Sequence, residues 1–183
     1  MKKFSIIFII LILGCSIQAQ KFISKNGHIK FNSKASLETI GAHNHQVNCV
    51  IDTKTGDFVF KVLMKAFEFK KALMQEHFNE NYVESDKFPN ATFKGKIDNL
   101  EELNFDIFGI YDVVIKGDLT IHGVTKNISE KGTIEVRGDL IIAQSTIKIL
   151  LEDYDIKVPN TVVNNISETI DIKVDVSMKE YKK

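Results

Sequence analysis

L-M-Q-E-H-F-N-E-N-Y-V-E-S-D-K-F-P-N-A-T-F, Leu73 to Phe93, is the stretch in which this chain changes its period. From Ala72 to Tyr82 the apolar residues recur one helical turn apart, as Leu73 with His77, Met74 with Phe78 and Phe78 with Tyr82. The segments on either side alternate like β-strands. Asp86 to Pro89 ends the helical run, because the residue before a proline is pushed toward extended geometry and Pro89 cannot continue a helix. One amphipathic helix among strands needs somewhere to bury its apolar side, and the mouth of a barrel or the end of a sandwich provides it.

Outward from this stretch the strand pattern is regular. Toward the N-terminus, Ile29, Phe31 and Ser33 alternate with His28, Lys30, Asn32 and Lys34, and Val47, Cys49 and Ile51 repeat the pattern. Thr53 to Asp57 reads as a hairpin turn in which Gly56 takes the positive φ, and Phe58, Phe60, Val62 and Met64 then share a face. Toward the C-terminus, Phe93, Gly95 and Ile97 oppose Thr92, Lys94, Lys96 and Asp98. Tyr111, Val113, Ile115, Leu119 and Ile121 form the clearest apolar face, with Gly117 at an inner position where a missing side chain permits a bend or close approach. Ile134 and Val136, then Ile147, Ile149 and Leu151, continue that face; Pro159 falls in a loop, and Ile170, Ile172, Val174, Val176 and Met178 make a last strand. The expectation is an all-β fold, an antiparallel barrel of about eight strands, wide enough for one small ligand, with the short helix closing an end.

The chain has 183 residues, 44% hydrophobic and 26% charged, as expected of one globular domain with a sizeable core. Its 24 Lys and Arg balance 24 Asp and Glu, which argues against a nucleic-acid binder that works by bulk charge. Lys2 and Lys3 followed by the apolar run Phe4 to Leu13 read as an export signal, too short for a permanent membrane span. Ordinary cleavage after Ala19 divides the chain into a signal peptide, 1–19, and a barrel domain, 20–183, and directs the protein to the periplasm. The alternative is a lipoprotein signal at Ile12-Leu13-Gly14-Cys15, and only a lipidated Cys15 would tie the protein to a membrane. Cys49 is then the sole cysteine of the domain; its strand parity makes it a small buried apolar residue rather than a nucleophile or ligand.

Phe88-Pro89-Asn90-Ala91-Thr92-Phe93, with Gly117-Asp118-Leu119-Thr120-Ile121-His122-Gly123-Val124-Thr125 and the His77-containing helix before them, resembles the paired signature of the YceI-like, polyisoprenoid-binding proteins. The resemblance spans essentially the whole mature chain. It implies a lipocalin-like periplasmic barrel whose interior holds an isoprenoid such as a polyprenyl phosphate or a quinone tail, without catalysis or a cofactor; a homodimer is compatible with it. Two elements of the pattern are missing: the basic residue after the helix histidine and a late arginine motif. Arg137 is the only arginine, so the resemblance speaks more for an apolar tail than for a pyrophosphate headgroup.

The ligand-binding candidates are Phe58, Phe60, Phe67, Phe69, Met74, His77, Phe78, Tyr82, Phe88, Phe93, Phe108 and Tyr111, since a shaped apolar wall is what recognises an isoprenoid. The competing reading is that they fill a solid core, leaving a barrel that acts through its surface in envelope stress or protein interaction. His43-Asn44-His45 places two imidazoles on one strand face, but no third ligand is evident nearby and the surroundings read as a polar loop or strand edge, so no metal site is assigned. His122 opposes the apolar parity and reads as structural or exposed. Glu76 and Glu80 form a solvated helix face, and neither a nucleophile elbow nor a phosphate loop is present.

Overall fold

A computed structural model describes residues 20–159 and 164–182. The export-signal reading of residues 1–19 lies outside them. Nine strands form the fold: β1 Lys21–Lys34, β2 Thr39–Asp52, β3 Asp57–Leu63, β4 Phe67–Phe69, β5 Asn90–Ile97, β6 Gly109–Ile121, β7 Val124–Arg137, β8 Leu140–Leu150 and β9 Thr169–Glu180. They pair antiparallel in the order β1-β9-β8-β7-β6-β5-β3-β2-β4, and β1 pairs again with β2. That last pairing closes an eight-stranded barrel, with the three-residue β4 as an additional strand beyond β3 on β2.

The alternation that defined the strands places their apolar faces inside. Val47, Cys49 and Ile51 of β2, Val113, Leu119 and Ile121 of β6, and Val176 and Met178 of β9 are all buried. Gly56 has φ +73°, as the hairpin turn requires. Gly95 and Gly117 face each other across β5 and β6, and a Cβ on Gly117 would lie 2.3 Å from the Lys94 carbonyl oxygen and 2.4 Å from the Gly95 Cα. Here the strands approach as only glycine permits.

Two boundaries depart from the sequence expectation. β1 begins at Lys21, well before Ile29. His43-Asn44-His45 lies within β2, not in a loop, and β2 is bulged beside it: two residues of β1, from Gly27 to Ile29, span three of β2, from Val47 to Asn44. The fully buried Asn44 bridges the point where β2 passes from β3 to β4; its Nδ2 donates to the Leu63 carbonyl (2.8 Å) and its Oδ1 accepts from the Gln46 N–H (2.8 Å).

The helix α1, Ala72–His77, continues directly into a wide π turn, Phe78–Tyr82. It lies at the barrel end that also carries the β1–β2 and β6–β7 turns and a 3-10 turn, Glu152–Tyr154. The opposite end is covered by the β5–β6 connection, where Leu103 is buried and Leu100 and Phe105 pack on the core.

Candidate functional site

The barrel interior is hollow. It encloses a cavity of about 480 Å³, within the range of small-molecule sites. Its wall is overwhelmingly apolar, with Ile29, Phe31, Phe58, Phe60, Val62, Phe93, Ile115, Ile147 and Ile172 among the residues that build it. α1 and the π turn form one end, contributing Met74, His77, Phe78 and Tyr82. Four aromatic rings hold that end in place: Phe78 lies 5.6 Å from Phe31, 5.5 Å from Phe67 and 5.0 Å from Phe69, centroid to centroid. These offset and edge-on contacts dock a helix that is too short to be stable alone. Deeper in, Phe58 and Phe93 stack at 5.3 Å.

Nine of the twelve candidates from the sequence line this cavity: Phe58, Phe60, Phe67, Phe69, Met74, His77, Phe78, Tyr82 and Phe93. Phe88, Phe108 and Tyr111 do not. Phe108 lies in the β5–β6 connection with 75% of its surface exposed, where no strand parity directs it inward. Tyr111 packs against the core at the covered end, and its hydroxyl donates to the Ile107 carbonyl at 3.1 Å. Phe88 packs on Gly123 and meets the His122 ring edge-on at 4.8 Å. The wall also includes residues that the sequence candidates omit, Phe31 above all, although its parity with Ile29 marked it as inward.

The signature residues around His122 form a structural lock rather than a ligand contact. His122 has φ +51° and Glu84 φ +43°. The imidazole bonds the Tyr154 carbonyl through Nδ1 (3.0 Å) and the Glu84 carboxylate through Nε2 (2.8 Å). This joins the β6–β7 turn, the segment after the helix and the 3-10 turn. Burial pushes the Tyr154 phenol up, with Asp153 adding to it, and burial does the same to Tyr82.

Polar groups are sparse in the cavity wall. Ser33, Glu38, His77 and Asn165 belong to the helix end, where Glu38 also holds Lys71 at 3.0 Å, and Thr92 lies two residues into β5 from that end; Thr133, Gln144 and Ser145 are on β7 and β8. Arg137 lies at the other end of the barrel, as the last residue of β7, paired with Glu135 at 2.7 Å. Cys49 faces the cavity, but burial pushes its thiol to about 12, so it stays protonated and unreactive near neutrality. Glu76 and Glu80 are exposed on the helix, as the sequence indicated. The expectation that His43 and His45 lack a third partner is overturned: the β1–β2 pairing brings His28 beside both.

A barrel closed around an apolar cavity, with a helix over one end and scattered polar groups, defines the class of small-molecule-enclosing β-barrels. The chain belongs to the YceI-like family, whose domain matches residues 16–178. Its fold is shared with a polyisoprenoid binding domain from Saccharophagus degradans implicated in plant cell wall breakdown, at TM-score 0.77 and 14% identity, covering 90% of this chain and all (100%) of that one. It is shared also with Burkholderia cenocepacia BcnA, at TM-score 0.69 and 13% identity over 82% of this chain and 95% of that one. A Campylobacter jejuni YceI protein matches at TM-score 0.57 and 16% identity, with both chains fully covered (100%). Comparison with curated proteins returns no match.

Proposed function

We propose that the protein is an exported carrier that encloses a long apolar molecule, an isoprenoid chain such as a quinone tail or a polyprenyl phosphate, and does no chemistry on it. The observation that carries this reading is the 480 Å³ cavity with its almost unbroken apolar wall. An isoprenoid offers apolar area and methyl branches and little else to bind, so a rigid wall of aromatic and β-branched side chains is what can select it. The binding ascribed to the Saccharophagus degradans relative points the same way. A hollow interior also favours this reading over a filled-core barrel that acts through its surface.

The ligand's polar end belongs at the helix end, beside Glu38, His77, Asn165 and Lys71. This end lacks an arginine, since Arg137 is at the opposite end, so a quinone or other weakly polar headgroup fits better than a pyrophosphate. Export to the periplasm rests on the Lys2-Lys3 and Phe4–Leu13 pattern, with cleavage after Ala19 or lipidation at Cys15.

Native mass spectrometry with lipid extraction, on protein purified from its own envelope, tests the carrier reading, and intact mass fixes the mature N-terminus. A stoichiometric isoprenoid is the expected result. An empty protein that also ignores quinones and polyprenyl phosphates added in excess would reject it.

A further inference from the structure

Three imidazoles meet on the outer face of the β1–β2 hairpin, and they are not part of the cavity wall. His28 comes from β1, and His43 and His45 come from β2. One nitrogen from each can be chosen so that all lie within 4.8 Å of one another. His28 Nε2 and His43 Nδ1 are 2.9 Å apart. The rings are nearly parallel, at interplanar angles of 6° to 9°, with the His28 centroid 5.2 Å from that of His43 and 4.5 Å from that of His45.

The bulge in β2 creates this convergence. Ala42, Asn44 and Val47 all point inward, so both His43 and His45 project outward on one side of the irregularity. Across the hairpin, His28 occupies the shorter strand facing the bulge.

Packing gives little reason for such a cluster. His45 is exposed and His28 and His43 are half-buried, so none contributes a core side chain. Among the described residues, the only side-chain hydrogen bond any of the three makes is the one between His28 and His43. The His28–His43 pair is thus bonded only to itself, and His45 lies beside it with no side-chain hydrogen bond among the described residues. Carboxylates border the cluster through strand pairing, Asp175 opposite His28 and Glu68 opposite His43, with Lys30 as the nearest cross-strand cation to His43.

We propose that His28, His43 and His45 bind one borderline divalent transition-metal ion, of which Zn²⁺ and Cu²⁺ are the best matched. Neutral imidazole suits these ions, with metal–nitrogen distances of about 2.0–2.1 Å. Tetrahedral coordination at that length separates the donor nitrogens by roughly 3.3 Å. The 2.9 Å His28–His43 pair must open by a few tenths of an ångström, His45 must close from within 4.8 Å, and the near-parallel rings must turn so that their in-plane lone pairs meet at one point. Three protein nitrogens leave a fourth position open to water or an external ligand. Bound metal would tie the N-terminal strand to its neighbour across the bulge, where the backbone ladder is interrupted.

The test uses protein without a histidine tag, stripped with a chelator and titrated with ZnCl₂ alone by calorimetry, with metal content read after dialysis. The expected result is one Zn²⁺ per chain at micromolar affinity or tighter, and a rise in thermal midpoint. His28→Ala, His43→Ala and His45→Ala each weaken binding by at least about tenfold, the loss that even an outer-sphere partner costs. All three positions face outward, so the variants keep the parent's circular dichroism spectrum and its lipid occupancy by native mass spectrometry. Binding that survives in the His28→Ala/His43→Ala protein, or no stoichiometric uptake at a large excess of Zn²⁺, overturns the proposal. Lipid occupancy is read separately, so neither result bears on the carrier function.

Discussion

Gly117→Ala is the perturbation whose cost the structure sets most directly. The added methyl would stand 2.3 Å from the Lys94 carbonyl oxygen and 2.4 Å from the Gly95 Cα. Both obstacles are backbone, so no rotamer change relieves them. Restoring ordinary contact requires β5 and β6 to separate by about 1 Å, which takes a ladder hydrogen bond of ~2.9 Å beyond useful range. Two or three such bonds at about 1 kcal/mol each, consistent with overpacking costs of 1–3 kcal/mol elsewhere, give a destabilisation of roughly 3 kcal/mol. For a domain of this size that lowers the thermal midpoint by ~6–12 °C. The protein has no tryptophan, so urea unfolding is followed by far-UV circular dichroism. Gly109→Ala is the control on the same strand, because its methyl would meet only the Tyr111 ring at an ordinary 3.4 Å. It should be neutral or slightly stabilising. A Gly117→Ala protein within 0.5 kcal/mol of the parent would show that the strand pair yields freely and that the close approach is not required.

Phe78→Ala removes one ring from contact with three others at the helix end. Phe78 is only half-buried, so the cost should be ~2 kcal/mol, less than for a core phenylalanine; stopped-flow release of a fluorescent isoprenoid analogue should accelerate, and an unchanged off-rate would show that the docking of the helix does not limit ligand exit. His122→Ala loses bonds to Tyr154 and Glu84 and should cost roughly 2–4 kcal/mol in urea unfolding while leaving ligand stoichiometry intact. Burial raises the Cys49 thiol from its ordinary value near 9 to about 12. The unfolded chain therefore releases that proton first as pH rises above 9, and stability present below 9 is lost on the way to 12, by about 1.4 kcal/mol per pH unit relative to Cys49→Ala. At pH 8 iodoacetamide should label Cys49 only in denaturant, and rapid labelling of folded protein would refute its burial.

What could be read from the sequence followed the two periods. Period two identified the inner faces, and the change to helical spacing at Ala72–Tyr82 located α1 and its π turn; nine of the candidate residues then reached the cavity because parity or helical phase directed them there. The misses arise where period gives no information. Phe108 counts among the aromatics expected to face inward, and it lies in a connection without alternation. Phe88 counts among the aromatics expected to face inward, but its motif specifies how the helix segment packs on the His122–Gly123 turn. β4, at three residues, is too short to alternate visibly. His28 is separated from His43 by 15 residues and meets it only through hairpin pairing, while the bulge between Asn44 and Val47 breaks the parity that would have aligned them.

The same hairpin therefore serves two kinds of surface. Ile29 and Phe31 of β1 turn toward the cavity, while His28 turns away from it. A strand reverses side with every residue, so one sequence can hold an apolar wall under tight constraint on one face and carry an independent cluster on the other. The inner face must keep its volume and apolarity, because each change there is felt as a cavity or a clash. The outer face has no such restriction: what it requires is a register that brings three side chains together, and the bulge supplies it. At 13–16% identity the structural relatives show the barrel fold alone, so the particular residues on the outside of β1 and β2 must be argued from their own geometry.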